Sequence, residues 1–166
     1  KRQLLSPPAP RLGYGEDTHR LVAGRPLVLG GVTIPFHLGL LGHSDADALA
    51  HAAMDAMLGA CALGDIGKLF PDTDPQYAGI CSLTLLTQVL RRTLAQGYAL
   101  SNLDATIVAQ QPKLAPHIPA MRAKLAAAMA CGQERISIKA TTPEGCGPEG
   151  ALESITVRCV CSMEAI

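Results

Sequence analysis

Residues two apart on an extended chain point to the same side, so Asp17-Thr18-His19 brings a carboxylate and an imidazole to one point. Such a pair chelates. A third ligand can come from the segment starting near Ser44, where His43, Asp45, Asp47, His51 and Asp55 crowd together, and where Asp47, His51 and Asp55, four apart, share a helical face. Zinc accepts nitrogen and carboxylate oxygen at about 2.0–2.2 Å, and its catalytic sites keep three protein ligands and one open position. Asp17, His19 and one helix histidine fill that description. The competing reading is that Asp45 and Asp47 only favour a helix N-terminus electrostatically, while His51 packs or faces water.

Three further clusters carry polar groups at places where function concentrates. Lys139-Ala140-Thr141-Thr142-Pro143-Glu144 offers hydroxyls and a carboxylate where a strand leaves its sheet, which suits phosphate and a divalent ion, although it is also ordinary turn chemistry. Ala109-Gln110-Gln111-Pro112-Lys113, followed by Pro116-His117, is a turn whose backbone can read a base edge or merely cross the surface. Asp65-Ile66-Gly67 with Phe70-Pro71-Asp72 either pockets a small polyol or connects two elements irregularly.

The elements that position these groups follow from periodicity. Short strands are expected at Leu12 to Glu16 and Pro26 to Leu29, with Gly30-Gly31 turning the chain into Val32-Thr33-Ile34. Ser44 with Asp47 three residues on matches a capping box, and the Ala-rich run beyond predicts a helix over 45–60. Leu63 to Gly79 reads as loop. A helix follows with Ser82 as N-cap, apolar Leu83, Leu86, Leu90 and Leu94, and Gly97 as its stop. Leu103 to Ala109 alternates as a strand; Pro119 opens a helix that Gly132 closes; Ile136 to Thr142 and Ser154 to Ser162 alternate again. The fold class is α+β, with α/β layering: one domain over residues 11–166, a mixed β-sheet covered by helices. Residues 1–10, rich in proline, read as a disordered leader, a linker or a trimmed targeting remnant.

Composition narrows the partners. Of 166 residues, 48% are hydrophobic, enough for a core, and Lys+Arg equals Asp+Glu at 14 each, so no basic field attracts nucleic acid. Aromatic residues make up 3%, too few for base-stacking platforms. No apolar run approaches the roughly 20 residues of a membrane helix. Six cysteines without a C-x-x-C pair fit a reduced, cytosolic setting, and Cys159 and Cys161 read as packing residues.

Taken in order, Gly13-Tyr14-Gly15-Glu16-Asp17-Thr18-His19, Leu29-Gly30-Gly31-Val32-Thr33-Ile34-Pro35 and His43-Ser44-Asp45-Ala46-Asp47-Ala48-Leu49-Ala50-His51 resemble the 2-C-methyl-D-erythritol 2,4-cyclodiphosphate synthase family of the non-mevalonate isoprenoid pathway. The likeness continues through Asp65-Ile66-Gly67-Lys68-Leu69-Phe70-Pro71-Asp72-Thr73-Asp74-Pro75, Asn102-Leu103-Asp104-Ala105-Thr106, Gln111-Pro112-Lys113-Leu114-Ala115-Pro116-His117 and Lys139-Ala140-Thr141-Thr142, from about residue 11 to 163. It implies a lyase-type cyclisation. In 4-diphosphocytidyl-2-C-methyl-D-erythritol 2-phosphate, the 2-phosphate attacks the β-phosphorus and displaces CMP. By matching positions the resemblance implies Asp17, His19 and His51 as zinc ligands, and His43 and Thr142 as stabilisers of the transition state, with Ser44 touching phosphate. Glu144, beside Pro143, would associate with a second ion, magnesium or manganese. Asp65, Ile66, Gly67, Phe70, Pro71, Asp72, Thr73 and Asp74 would form the methylerythritol pocket. Ala109, Gln110, Gln111, Pro112, Lys113, Leu114 and Ala115, with Thr141 and Thr142, would face cytidine. The family also implies a homotrimer with active sites between subunits, and a bacterial cytoplasmic setting, or a plastid-type compartment in a plant or alga.

One stretch departs from that pattern. Where the family often reads Lys-Leu-Gly-Phe-Thr-Gly-Arg-Gly-Glu-Gly, this chain has Gly145-Cys146-Gly147-Pro148-Glu149-Gly150-Ala151-Leu152-Glu153-Ser154. Pro148 and Ala151 replace Phe and Arg, and losing the guanidinium removes a bidentate phosphate donor. The rival readings are a zinc phosphohydrolase, which would yield linear phosphates, and a trimeric binding module that keeps the pocket without turnover.

Overall fold

The computed structural model describes residues 9–166, so most of the leader expected over 1–10 lies outside the described residues. Five strands form one sheet in the order β4-β1-β7-β5-β6: β1 Arg11–Ala23, β4 Leu38–Leu40, β5 Tyr98–Val108, β6 Ile136–Thr141 and β7 Ser154–Ala165. Only β5 and β6 run parallel, which makes the sheet mixed. Strands β2 Leu27–Leu29 and β3 Val32–Ile34 pair separately as a hairpin, and Gly30 and Gly31 at its turn have φ of 59° and 72°. Two successive positive φ values are what a type I′ turn demands and what glycine supplies without strain.

The helices cover one face. They are α1 Ala48–Ala60, α2 Ile66–Leu69, α3 Ser82–Ala95 and α4 Ile118–Ala128; the short α5 Gly147–Gly150 instead reaches the open face, where Glu149 accepts from Thr156, the neighbour of Thr18. Along β1, Gly13, Gly15, Asp17, His19 and Leu21 point toward them, while Leu12, Tyr14, Glu16, Thr18 and Arg20 stay on the open face, as a period of two requires. Helix α1 lies against β1 almost backbone to backbone. A Cβ at Gly13 would sit 1.8 Å from the Ala56 carbonyl oxygen, and one at Gly15 would sit 2.1 Å from that of Ala52. The alanines of α1 make the same approach possible from the other side, and all of its residues except Asp55 and Gly59 are buried. A helix apolar on every face belongs at the centre of a core.

The cap of α1 differs from the capping box expected at Ser44. Asp47 is the N-cap, accepting the Ala50 N–H at 3.0 Å, and its two oxygens also accept Gly30 N–H at 2.9 Å and Gly31 N–H at 2.7 Å. One fully buried carboxylate thereby ties the hairpin turn to the start of the helix. Asp47 is thus structural, and its four-residue spacing from His51 does not make it a ligand. Helix α3 is also rotated from expectation: Leu85, Leu86, Val89, Leu90 and Thr93 are buried, while Leu94 is 39% exposed. Inside the loop expected at Leu63 to Gly79 lie the short α2 and a 3-10 turn, Pro75–Tyr77.

All six cysteines are free thiols. Cys159 and Cys161 are buried as packing residues, and burial pushes both thiols up, Cys161 to about 12. Cys81 and Cys146 are exposed. Among the described residues no helix is long and apolar enough to cross a membrane.

Gly15→Val should cost about 3 kcal/mol or more, because its Cβ meets helix backbone that cannot rotate away. Gly59, exposed in the same helix with only the Tyr14 carbonyl oxygen at 3.9 Å, should gain ~0.5–1 kcal/mol as alanine. Urea denaturation of the two variants measures both signs.

Candidate functional site

The close seat of α1 on β1 delivers His51 to the two inward side chains of β1. Asp17 Oδ2 lies 2.9 Å from His19 Nε2 and 3.0 Å from His51 Nδ1, and the two nitrogens are 3.2 Å apart. Among the described residues these are the one group of three or more His, Cys, Asp or Glu side chains arranged to hold a metal ion. The outer His19 nitrogen, Nδ1, lies 2.7 Å from the Leu41 carbonyl oxygen. A carbonyl only accepts, so Nδ1 carries a proton, and when the ring is neutral Nε2 turns its lone pair inward.

Three acceptor atoms about 3 Å apart need a positive centre between them. In the metal-free chain a proton on His19 Nε2 serves, donated to Asp17 and within reach of His51. Burial opposes ionisation of Asp17, but the neighbouring His19 and His51 imidazoles, His19 by hydrogen bond and both by charge, hold its carboxyl down at about 2. Burial also works against a charged His19, and the hydrogen bond and charge of Asp17 overcome it, raising the imidazole above its ordinary 6.5. The donor set, one carboxylate oxygen and two imidazole nitrogens with an open side to the cavity, fits a divalent ion such as zinc better than calcium or magnesium, which prefer oxygen.

The corner opens into a cavity of about 390 Å³ whose wall includes His43, Ser44, Ile66, Gly67, Phe70 and Asp72. Gly42, Tyr77 and Leu85 also line it and carry no sequence signal of their own beyond ordinary turn and core character. Phe70 and Tyr77 meet edge to face with centroids 5.4 Å apart. Asp65 caps α2 by accepting Lys68 N–H at 3.0 Å, and Asp55 accepts Ile66 N–H at 2.8 Å, which couples α2 to the helix that carries His51. His43 Nε2 donates to the Asp74 carbonyl oxygen at 3.1 Å. Of the expected polyol pocket, Asp65, Pro71, Thr73 and Asp74 are not on the cavity wall.

The other predicted cluster forms a separate cavity of about 450 Å³, lined by Ala109, Gln110, Gln111, Pro112, Lys113, Leu114 and Ala115 with Ala140, Thr141 and Thr142. Pro143 and Glu144 sit just beyond it. Thr142 Oγ1 donates to Glu144 Oε1 at 2.6 Å, and Gly145 N–H donates to Gln110 Oε1 at 2.9 Å. The strand register relates the two cavities. Thr18 pairs with Thr156, Thr156 with Val108, and Val108 with Thr141, so both clusters lie at one end of the sheet. Three interstrand steps separate them, roughly 14 Å at the usual spacing. Within a single chain the structure does not bring Asp17, His19 and His51 together with Thr142 and Glu144.

The YgbB family model matches residues 10–164. The 2-C-methyl-D-erythritol 2,4-cyclodiphosphate synthase of Geobacter sulfurreducens is 58% identical over 154 residues, covering 93% of this chain and 98% of that protein. A solved structure of 2C-methyl-D-erythritol-2,4-cyclodiphosphate synthase in a CDP-bound form is 43% identical, with a TM-score of 0.85, and covers 93% of this chain and all of the other. The bifunctional IspDF protein of Campylobacter jejuni superimposes with a TM-score of 0.92 at 39% identity over 95% of this chain, which spans only 43% of that protein.

The raised His19 pKa sets a testable pH dependence. Its stabilising protonation is complete below about pH 6.5 and is lost as pH rises through the raised value. Metal-free protein melted in chelator should therefore lose stability across that window. Metal-loaded protein should show the opposite trend, because protons compete with the ion as pH falls.

Proposed function

The chain belongs to the YgbB family, and from that membership and its Asp17–His19–His51 corner we propose how its site closes a cyclic diphosphate. The reaction converts 4-diphosphocytidyl-2-C-methyl-D-erythritol 2-phosphate to 2-C-methyl-D-erythritol 2,4-cyclodiphosphate in non-mevalonate isoprenoid synthesis. An oxygen of the 2-phosphate forms a bond to the β-phosphorus; the bond from that phosphorus to the bridging oxygen breaks, and the electron pair leaves with CMP. No water is consumed and no redox step occurs. The observation that carries this reading is the carboxylate and two imidazoles converging on the wall of a cavity of about 390 Å³.

Asp17, His19 and His51 would hold zinc, which when bound supplies Lewis-acid charge to the β-phosphate. His43 and Ser44, on the cavity wall, offer N–H and O–H donors to phosphate oxygens, and Ile66, Gly67, Phe70 and Asp72 enclose the methylerythritol carbons and hydroxyls. Asp65, Pro71, Thr73 and Asp74 act behind that wall by fixing its turns. The Ala109 to Ala115 turn with Thr141 encloses cytidine, Thr142 steadies the diphosphate, and Glu144, next to Pro143, would hold magnesium or manganese. Such groups act mainly by positioning and by neutralising charge.

A diphosphate is far shorter than the roughly 14 Å between the two clusters in one chain, so neighbouring chains complete each site. A homotrimer meets that need. Its interface is the open face of the sheet, where the exposed Leu12, Tyr14 and Val160 lie among the ion pairs Arg158–Glu16 and Lys139–Asp104.

Phosphorus NMR of protein incubated with the diphosphocytidyl substrate, zinc and magnesium should show the cyclic diphosphate and CMP, and none after chelation. Linear phosphates would indicate a hydrolase, and unchanged substrate a binding module. His51→Ala and Thr142→Ala should each be nearly inactive alone. Mixed at equal amounts into shared trimers they should recover about a quarter of wild-type activity, because one arrangement in four unites two intact halves; no recovery would mean that each site lies within one chain.

A further inference from the structure

The outer nitrogen of His51 is held differently from that of His19. His51 Nε2 lies 2.9 Å from Ser82 Oγ, and Ser82 is fully buried. Ser82 Oγ in turn donates its hydrogen to Asp45 Oδ1 at 2.5 Å, while the other Asp45 oxygen accepts the Ser82 backbone N–H at 3.0 Å. A serine hydroxyl has one hydrogen, and a carboxylate can only accept. Once that hydrogen points at Asp45, Ser82 has only lone pairs to turn toward His51. Nε2 therefore carries the imidazole proton, and Nδ1 presents its lone pair to Asp17 and His19.

We propose that Asp45 and Ser82 are positioning residues which, through the direction of one hydroxyl, lock His51 in the tautomer that binds metal. This rests on the reading of Asp17, His19 and His51 as ligands. The pair comes from two elements: Asp45 lies in the loop before α1, and Ser82 is the first residue of α3. Asp45 N–H donates to the Ile80 carbonyl oxygen at 3.1 Å, and Gly79 N–H to that of His43 at 2.8 Å, so the two segments are stitched together around the relay. Outer partners of this kind orient the ring, fix its tautomer and strengthen the ligand.

The relay predicts an unusual order among variants. In Asp45→Asn the amide keeps its oxygen on the Ser82 N–H and turns its NH₂ toward Ser82 Oγ, so the hydroxyl reverses and donates to His51 Nε2. The proton then moves to Nδ1 and blocks the inward lone pair. In Ser82→Ala the Ser44 hydroxyl, already 3.3 Å from Nε2, can accept in its place. The nearly isosteric Asp45→Asn should therefore weaken zinc binding by at least the ~10–100-fold typical of a lost outer partner, and Ser82→Ala by less.

Zinc affinity by competition with a chromophoric chelator, the visible spectrum of the cobalt-loaded protein, and nitrogen-15 correlation of the metal-free imidazoles read this out without turnover. Circular dichroism confirms folding, and Ser82→Ala supplies a second variant should Asp45→Asn not fold. A shift of the His51 proton from Nε2 to Nδ1 in Asp45→Asn, with weakened zinc binding, supports the relay; so does weakened binding in a folded Ser82→Ala. Wild-type affinity and cobalt spectrum in both variants overturn it. His51→Ala separates the two readings: if it still retains zinc, the ligand assignment fails and the relay with it, whereas loss of zinc there with full retention in Asp45→Asn and Ser82→Ala sinks the relay alone.

Discussion

The contact on which the rest of the molecule depends is the near-touching of two backbones, that of β1 at Gly13 and Gly15 and that of α1 at Ala52 and Ala56. Side chains of ordinary size would hold a helix about 10 Å from a sheet; here the sheet has none at the crossing and the helix has only methyl groups. His51 is carried on that helix and Asp17 and His19 on that strand, so the spacing of donor atoms is set by main-chain packing. Local flexibility of long side chains has little part in it. The corner can be tight because the core beneath it is.

A close approach fixes distance but leaves the helix free to slide or rotate, and other interactions remove those freedoms. The buried Asp47 carboxylate fixes the N-terminus of α1 against the Gly30-Gly31 turn, and Asp55, further along, holds the first turn of α2. Asp45 and Ser82 act on the same helix from the direction of α3. Four aspartates, at positions 17, 45, 47 and 55, thus lie within a short distance of one another in sequence or space with different tasks: Asp17 faces two imidazoles, Asp45 holds a hydroxyl and backbone N–H groups, and Asp47 and Asp55 hold backbone N–H groups alone. Their uniform chemistry hides that division.

That division explains what could and could not be read in advance. The strand alternation that turns Asp17 and His19 to one side is written in the period of β1, and the Ala-rich run of α1 announces its helix, so the chelating pair and the fold class were legible. Which of the crowded acids served as cap was not, since Ser44 and Asp47 both have cap chemistry and only tertiary contact with Gly30 and Gly31 selects Asp47. The role of the Leu41 carbonyl leaves no trace in residue identity at all. The sequence marks Ser82 as the N-cap of α3, but Cys81 holds that place, Ser82 is the first helical residue, and its hydroxyl goes to Asp45, which is anchored opposite it. The separation of the Thr142 cluster from the metal corner follows from the order of strands, which periodicity does not encode.

The arrangement of the thiols has a practical consequence. Cys159 and Cys161 are buried with pKa values driven upward, so they are poor nucleophiles, whereas the exposed Cys81 and Cys146 flank the two clusters, one beside Ser82 and the other two residues past Glu144. The unmodified polypeptide therefore carries a natural attachment point for a fluorophore next to each cluster, and energy transfer between dyes placed there would report how closely the clusters approach one another in solution.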